Sequence, residues 1–131
     1  MKGTLIMTTP PANPVVWTEI PVRDIDRGIA FYKAVFNFTL NRDESGPNPM
    51  ANFTDDMTGV SGHLYPGEPA APGQGPTIHL IVPDTLEAAA DRCWKAGGTV
   101  QGDPIPLPVG RFQYALDPDG NSIGLFEAKA A

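Results

Sequence analysis

Val15 to Asp24 reads Val-Val-Trp-Thr-Glu-Ile-Pro-Val-Arg-Asp, and Pro76 to Asp84 reads Pro-Thr-Ile-His-Leu-Ile-Val-Pro-Asp. In each stretch an apolar strand pattern ends in Val-x-Asp and runs straight into a helical pattern, with Asp24 and Asp84 sixty positions apart. That offset pairs Trp17 with Thr77 and Glu19 with His79. It reads as an internal duplication, because a unit that cannot cover its own apolar face buries it against a copy of itself.

Working outward, Val15 to Val22 reads as a strand and Asp24 as the cap of a helix whose apolar residues Ile25, Ile29, Tyr32 and Phe36 recur at helical spacing. Asn37 suits the left-handed position that ends a helix. Three short strand-like runs follow, Phe38 to Arg42, Met50 to Thr54 and Val60 to Tyr65, separated by turn formers. The second unit repeats the order. Thr77 to Val82 is a strand, and Asp84 with Glu87 forms a capping-box signature. Leu86, Ala89, Ala90 and Cys93 make the buried stripe of a helix stopped by Gly97-Gly98, and three more strands are expected at Thr99 to Gln101, Arg111 to Leu116 and Ser122 to Phe126. The expected organisation is a loose arm over 1–13, a first βαβββ module over 14–66, a Pro/Gly-rich linker over 67–76 and a second βαβββ module over 77–128, all in one domain. The fold class is α+β.

Composition narrows the function classes. With 131 residues the chain can bury an ordinary core without metal or disulfide staples. A formal net charge of −6 leaves no basic stripe for phosphate backbones, so nucleic acid is not an expected partner. No run approaches the roughly 20 apolar residues of a membrane-spanning helix, and no signal-peptide core is apparent. The single cysteine, Cys93, excludes an internal disulfide framework. A cytoplasmic protein is expected. Gly-x-Gly-x-x-Gly, Walker A and Gly-x-Ser-x-Gly motifs are absent, which removes support for nucleotide and serine-hydrolase chemistry.

Three segments carry a family resemblance: Glu-Ile-Pro-Val-Arg-Asp-Ile-Asp-Arg-Gly-Ile-Ala-Phe-Tyr-Lys-Ala-Val-Phe from Glu19, Ala-Gly-Gly-Thr-Val from Ala96, and Asp-Pro-Asp-Gly-Asn-Ser-Ile-Gly-Leu from Asp117. The sequence resembles the vicinal oxygen chelate superfamily, which includes glyoxalase I, bleomycin-resistance proteins and extradiol dioxygenases. The resemblance implies two βαβββ modules whose curled mixed sheets share a cup-shaped cavity, often in a homodimer. It does not imply one activity, because isomerases, dioxygenases, lyases and drug binders share the scaffold. Metal-dependent members place ligands on the first and last strand of each module. By resemblance those positions fall on Trp17, Gly62, Thr77 and Gly124. Tryptophan and glycine offer no donor and threonine a poor one, so no metal site is expected there.

Alternation along the strands places Glu19 on the face of Trp17 and His79 on the face of Thr77. The duplication then predicts a Glu19–His79 pair inside the cup. Such a pair can act as a general base or hold a hydroxylated or cationic ligand; alternatively, it is a buried polar pair whose members satisfy each other. Trp17, Phe53, Phe112 and Tyr114 are candidates to wall the cavity, although aromatic residues on strands are more commonly plain core. His63, alternating with Gly62, is expected to point away from the cup. Were it turned inward, it would complete a two-histidine, one-carboxylate set with Glu19 and His79.

Two function classes remain: a metal-free binder of a small organic molecule, and an enzyme. The enzyme would be a metal-dependent lyase or dioxygenase with an unconventional site, or a proton-transfer catalyst using Glu19 and His79.

Overall fold

The computed structural model describes residues 11–56 and 58–130. Most of the expected N-terminal arm lies outside the described residues. The elements run in the order β1 (Trp17–Val22), α1 (Ile25–Phe36), β2 (Arg42–Asp43), β3 (Met50–Asn52), β4 (Ser61–Pro66), β5 (Ile78–Ile81), α2 (Leu86–Lys95), β6 (Thr99–Leu107), β7 (Gly110–Leu116) and β8 (Ser122–Ala128). This is β-α-β-β-β twice. Each module forms a mixed four-stranded sheet, ordered β1-β4-β3-β2 in the first and β5-β8-β7-β6 in the second. In both, the first strand pairs in parallel with the last, and the remaining pairs are antiparallel.

The local chemistry explains α1. The Asp24 side chain accepts from the amides of Asp26 and Arg27, and Asn37 closes the helix in the left-handed conformation at φ 61. Its buried side, with Phe31, Tyr32, Val35 and Phe36, packs on one face of the first sheet. Val22 lies under Gly28, where a Cβ would come within 3.1 Å of its methyl groups.

The second helix departs from expectation at its start. Thr85, not Asp84, is the N-cap, and its hydroxyl accepts from the Ala88 amide. Asp84 is drawn off by Arg92, whose guanidinium grips both carboxylate oxygens at 2.7 and 2.8 Å, and Glu87 is drawn off by Arg111. Bidentate guanidinium–carboxylate pairing outcompetes a single amide contact for a carboxylate.

Two strands also differ. Phe38 to Asn41 do not form the expected strand because Leu40, fully buried, sits at φ 46 and breaks the extended run; β2 begins only at Arg42. In contrast, β6 extends to Leu107 rather than stopping at Gln101, passing a register shift between Gln101 and Ile105 that includes Gly102 at φ 69. Pro104 and Pro106 are tolerated because β6 is an edge strand.

The modules join on the helix side. Arg92 of α2 donates to the Val35 carbonyl of α1, Tyr32 donates to Asp117 at 2.8 Å, and the Asn121 side chain donates to the Pro21 carbonyl at 2.8 Å. The core beneath combines Ile20, Val22 and Leu64 of the first sheet with Leu80, Val82, Ile123 and Leu125 of the second. Because these residues point toward the helices, alternation turns Trp17, Glu19, His63, His79 and Gly124 to the opposite, helix-free faces.

Candidate functional site

The parallel register of β1 and β4 places Glu19 directly beside His63, and Trp17 lies one alternation away on the same face. The Trp17 indole Nε1–H donates to His63 Nδ1 at 2.9 Å. On the other side of the ring, His63 Nε2 lies 3.1 Å from Glu19 Oε1. Indole nitrogen is only a donor, so Nδ1 must present a lone pair and the imidazole proton belongs on Nε2, facing the carboxylate. His63 is 8% exposed, whereas the Glu19 side chain is 64% exposed. The edge of Tyr65 approaches His63 with ring centroids 6.1 Å apart.

Two expectations are corrected here. Glu19 contacts His63, not His79, and His63 shares the face of Glu19 and Trp17 rather than pointing away. The cause is register: Gly62 points to the helix side, where a Cβ would overlap the Thr18 carbonyl and come within 2.8 Å of Phe53. Neighbouring strands are about 4.8 Å apart, close enough for paired residues on one face to touch. The signal that would have exposed this was Leu64. As the large apolar residue of its strand it belongs in the core, which turns His63 outward with Glu19.

In the second module, His79 pairs in register with Gly124, and a Cβ on Gly124 would overlap the imidazole. Glycine at this position lets the ring lie down over the neighbouring strand. There it meets Phe112 edge-on at 4.8 Å and approaches Tyr114 at 5.9 Å. Thr77 is tied to Ser122 through their hydroxyls at 2.5 Å.

A groove of about 820 Å³ opens between the modules, bordered by Thr18, Glu19, Phe53, Ser61, Thr77 and His79 among others. Of the expected wall residues, Glu19, Phe53 and His79 border it, with Phe53 largely buried against Phe38 and Tyr32. Trp17, Phe112 and Tyr114 do not; they contact the two histidines. Glu19 also borders a smaller hollow of about 170 Å³ near Gln74 and Asn121.

The titratable groups most shifted by their surroundings lie elsewhere. Burial, reinforced by Asp117, raises the Tyr32 hydroxyl well above its ordinary value; burial also raises the Asp117 carboxyl against the hydrogen bonds of Asn121 and Tyr32. Burial pushes the Cys93 thiol up to about 11, which keeps it inert. Arg111 lowers Glu87 and Glu127 by direct hydrogen bonds, and Glu127 also accepts from the Leu86 amide. These are fold-holding contacts and none of them borders the groove.

The model of the Glyoxalase/Bleomycin resistance protein/Dioxygenase superfamily matches residues 15–125. The chain belongs to this superfamily. Among curated superfamily relatives, "Putative glyoxylase CFP32" of Mycobacterium tuberculosis is 31% identical over 121 residues, covering 90% of this chain and 44% of the relative. The chain therefore spans less than half the length of that protein. A glyoxalase/bleomycin resistance protein from Albidiferax ferrireducens superposes with a TM-score of 0.67 at 18% identity, covering 87% of this chain and 98% of the other. The fosfomycin resistance protein FosX from Mesorhizobium loti superposes with a TM-score of 0.64 at 19% identity, covering 92% of each. These structural likenesses speak to the superfamily fold.

The divalent metal known in parts of the superfamily does not fit the residues present. Trp17, Thr77 and Gly124 supply no strong donor, and the helix-free face of β4 offers His63, whose Nδ1 is occupied by Trp17 and whose Nε2 faces Glu19. Among the described residues, no three His, Cys, Asp or Glu side chains form a group that could hold a metal ion. No helix among them is long and apolar enough to cross a membrane.

Proposed function

We propose that this protein binds a small organic molecule in the groove between its modules, in the manner of the bleomycin-resistance branch of the superfamily. The observation that carries the reading is the groove itself: about 820 Å³, mostly apolar in its lining, with Glu19 contributed by one module and His79 by the other. Drug-sized ligands occupy clefts of roughly 300–1,000 Å³ with few polar anchors. Amide NMR with a library of small aromatic compounds tests it. Binders should shift Glu19, Thr77 and His79 together, and hits confined to other surfaces would refute it. Metal analysis is expected to find no stoichiometric transition ion; one that is lost in His63→Ala or His79→Ala would favour the lyase or dioxygenase reading.

Proton transfer at Glu19 is the second reading, favoured by the imidazole held against that carboxylate. Its signature is deuterium exchange at an activated C–H of a bound ligand, lost in Glu19→Gln and retained in His79→Ala. A homodimer in the cytoplasm completes the proposal. Ile105, Leu107 and Val109 leave an apolar edge on the β6–β7 hairpin, and the curated relatives are about twice as long as this chain. Light scattering should return twice the chain mass.

A further inference from the structure

We infer that Trp17 and His63 are positioning residues that present Glu19 to the groove as an acceptor, so that the ligand's polar group at this point is a hydrogen-bond donor such as an amidinium, ammonium or hydroxyl. The inference rests on the groove being the ligand site and adds which chemistry that site takes.

An indole N–H can only donate, and here it donates to His63 Nδ1 at 2.9 Å. This fixes the imidazole tautomer with its proton on Nε2, and that nitrogen lies 3.1 Å from Glu19 Oε1. Nδ1 is thereby committed to Trp17, and Nε2 stands beside the Glu19 carboxylate. The ring is buried, with Tyr65 against its edge and Asn52 across from it on β3, so a groove ligand meets Glu19 rather than His63. Glu19 is the exposed end of the series and borders both the large groove and the smaller hollow. A carboxylate accepts and does not donate. An anionic ligand group at this point would meet like charge, on a chain whose formal net charge is already −6. The second module supplies a different wall, with His79 laid over Gly124 against Phe112 and Tyr114. Of that second wall only His79 reaches the groove, with Ile78, Leu80 and Ile81 beside it and Phe53 opposite, so the lining suits an apolar body with one donor group.

Two measurements on the full chain test this. The first is ¹⁵N NMR of the histidine rings. His63 should show a pyridine-like Nδ1 and a pyrrole-like Nε2. In Trp17→Phe, with an otherwise native amide spectrum, His63 should shift toward a mixture of tautomers while His79 is unchanged. A pyrrole-like Nδ1 in the unaltered protein, or a tautomer indifferent to Trp17→Phe, overturns the positioning role. The second uses benzamidine, benzyl alcohol and benzoate as matched probes. Benzamidine should bind at least about ten-fold tighter than benzoate, a difference of about 1.4 kcal/mol, and Glu19→Gln should abolish the preference. Binding that shifts the groove amides with no preference, or with benzoate favoured, leaves the groove as a ligand site and overturns only the role of Glu19. If none of the three shifts either wall, the groove reading fails and this inference fails with it.

Discussion

In the first module, the row crossing from β1 to β4 runs from Glu19 to His63; in the second, the row crossing from β5 to β8 runs from His79 to Gly124. The backbone positions correspond, and the side chains do opposite things. In the first row two polar groups stand side by side, with Trp17 fixing the orientation of the ring. In the second, the missing side chain lets one ring lie flat and join Phe112 and Tyr114. The two modules thus share a scaffold while their helix-free faces differ, one carrying a polar pair and the other an aromatic cluster. It teaches that symmetry in the chain does not transfer to chemistry: Glu19 and His79 both lie on the first strands of their modules, yet neither is the other's partner.

The comparison can be broken at its glycines. Gly62→Ala should cost about 3 kcal/mol, the upper end for overpacking, because the added methyl meets the Thr18 carbonyl and the Phe53 ring, which cannot step aside. Gly124→Ala should cost only about 1 kcal/mol, because its obstacle is the His79 side chain, which can swing out. Its mark should be spectroscopic, with His79 losing the ring-current shift from Phe112. Urea denaturation and NMR of both variants check the pair, and equal costs would show that the two faces are less different than described.

Tyr32→Phe addresses the joint between modules and should cost about 2 kcal/mol by chemical denaturation, since it removes a buried hydrogen bond to the Asp117 carboxylate. Trp17→Phe should cost about 1 kcal/mol, the net worth of a part-buried hydrogen bond, with the larger effect on the His63 tautomer.

The smallest effect is one of pH. Glu127 is held below its ordinary value of 4.5 by Arg111, so the stability it contributes is complete above that value and is lost as pH falls through its lowered folded value. Glu127→Gln should therefore be less stable than the unaltered chain at pH 7, with the gap narrowing as pH falls below 4.5. Asp117 has the opposite sign. Its raised carboxyl favours folding at low pH, and its cost emerges as pH rises past the ordinary carboxylate range.

Much of the fold was legible because it is written locally. Asp24 and Asn37 are cap residues that act on their own neighbours, and the Val-x-Asp repeat marked both strand-to-helix junctions. What failed depended on partners distant in sequence. Asp84 looked like a cap until Arg92, eight residues on, claimed it. His63 was misplaced because a shift of one residue in the strand reverses every side chain, and the choice between Gly62 and His63 is settled only by what Leu64 packs against. Glu19 and His79 were expected at the cavity from alternation, and Phe53 only as one of four aromatic candidates, while the contact between Glu19 and His63 needed the pairing of β1 with β4.

The outermost strands carry one more consequence. β2 is two residues long, and β6 contains Pro104, Pro106 and a register shift, so neither outer rim offers a continuous ladder of amides to an incoming chain. Sheet growth from those rims, the usual route to fibrillar stacking, is blocked on both sides. Association between copies is thereby steered toward side-chain surfaces or the inner edges that flank the groove.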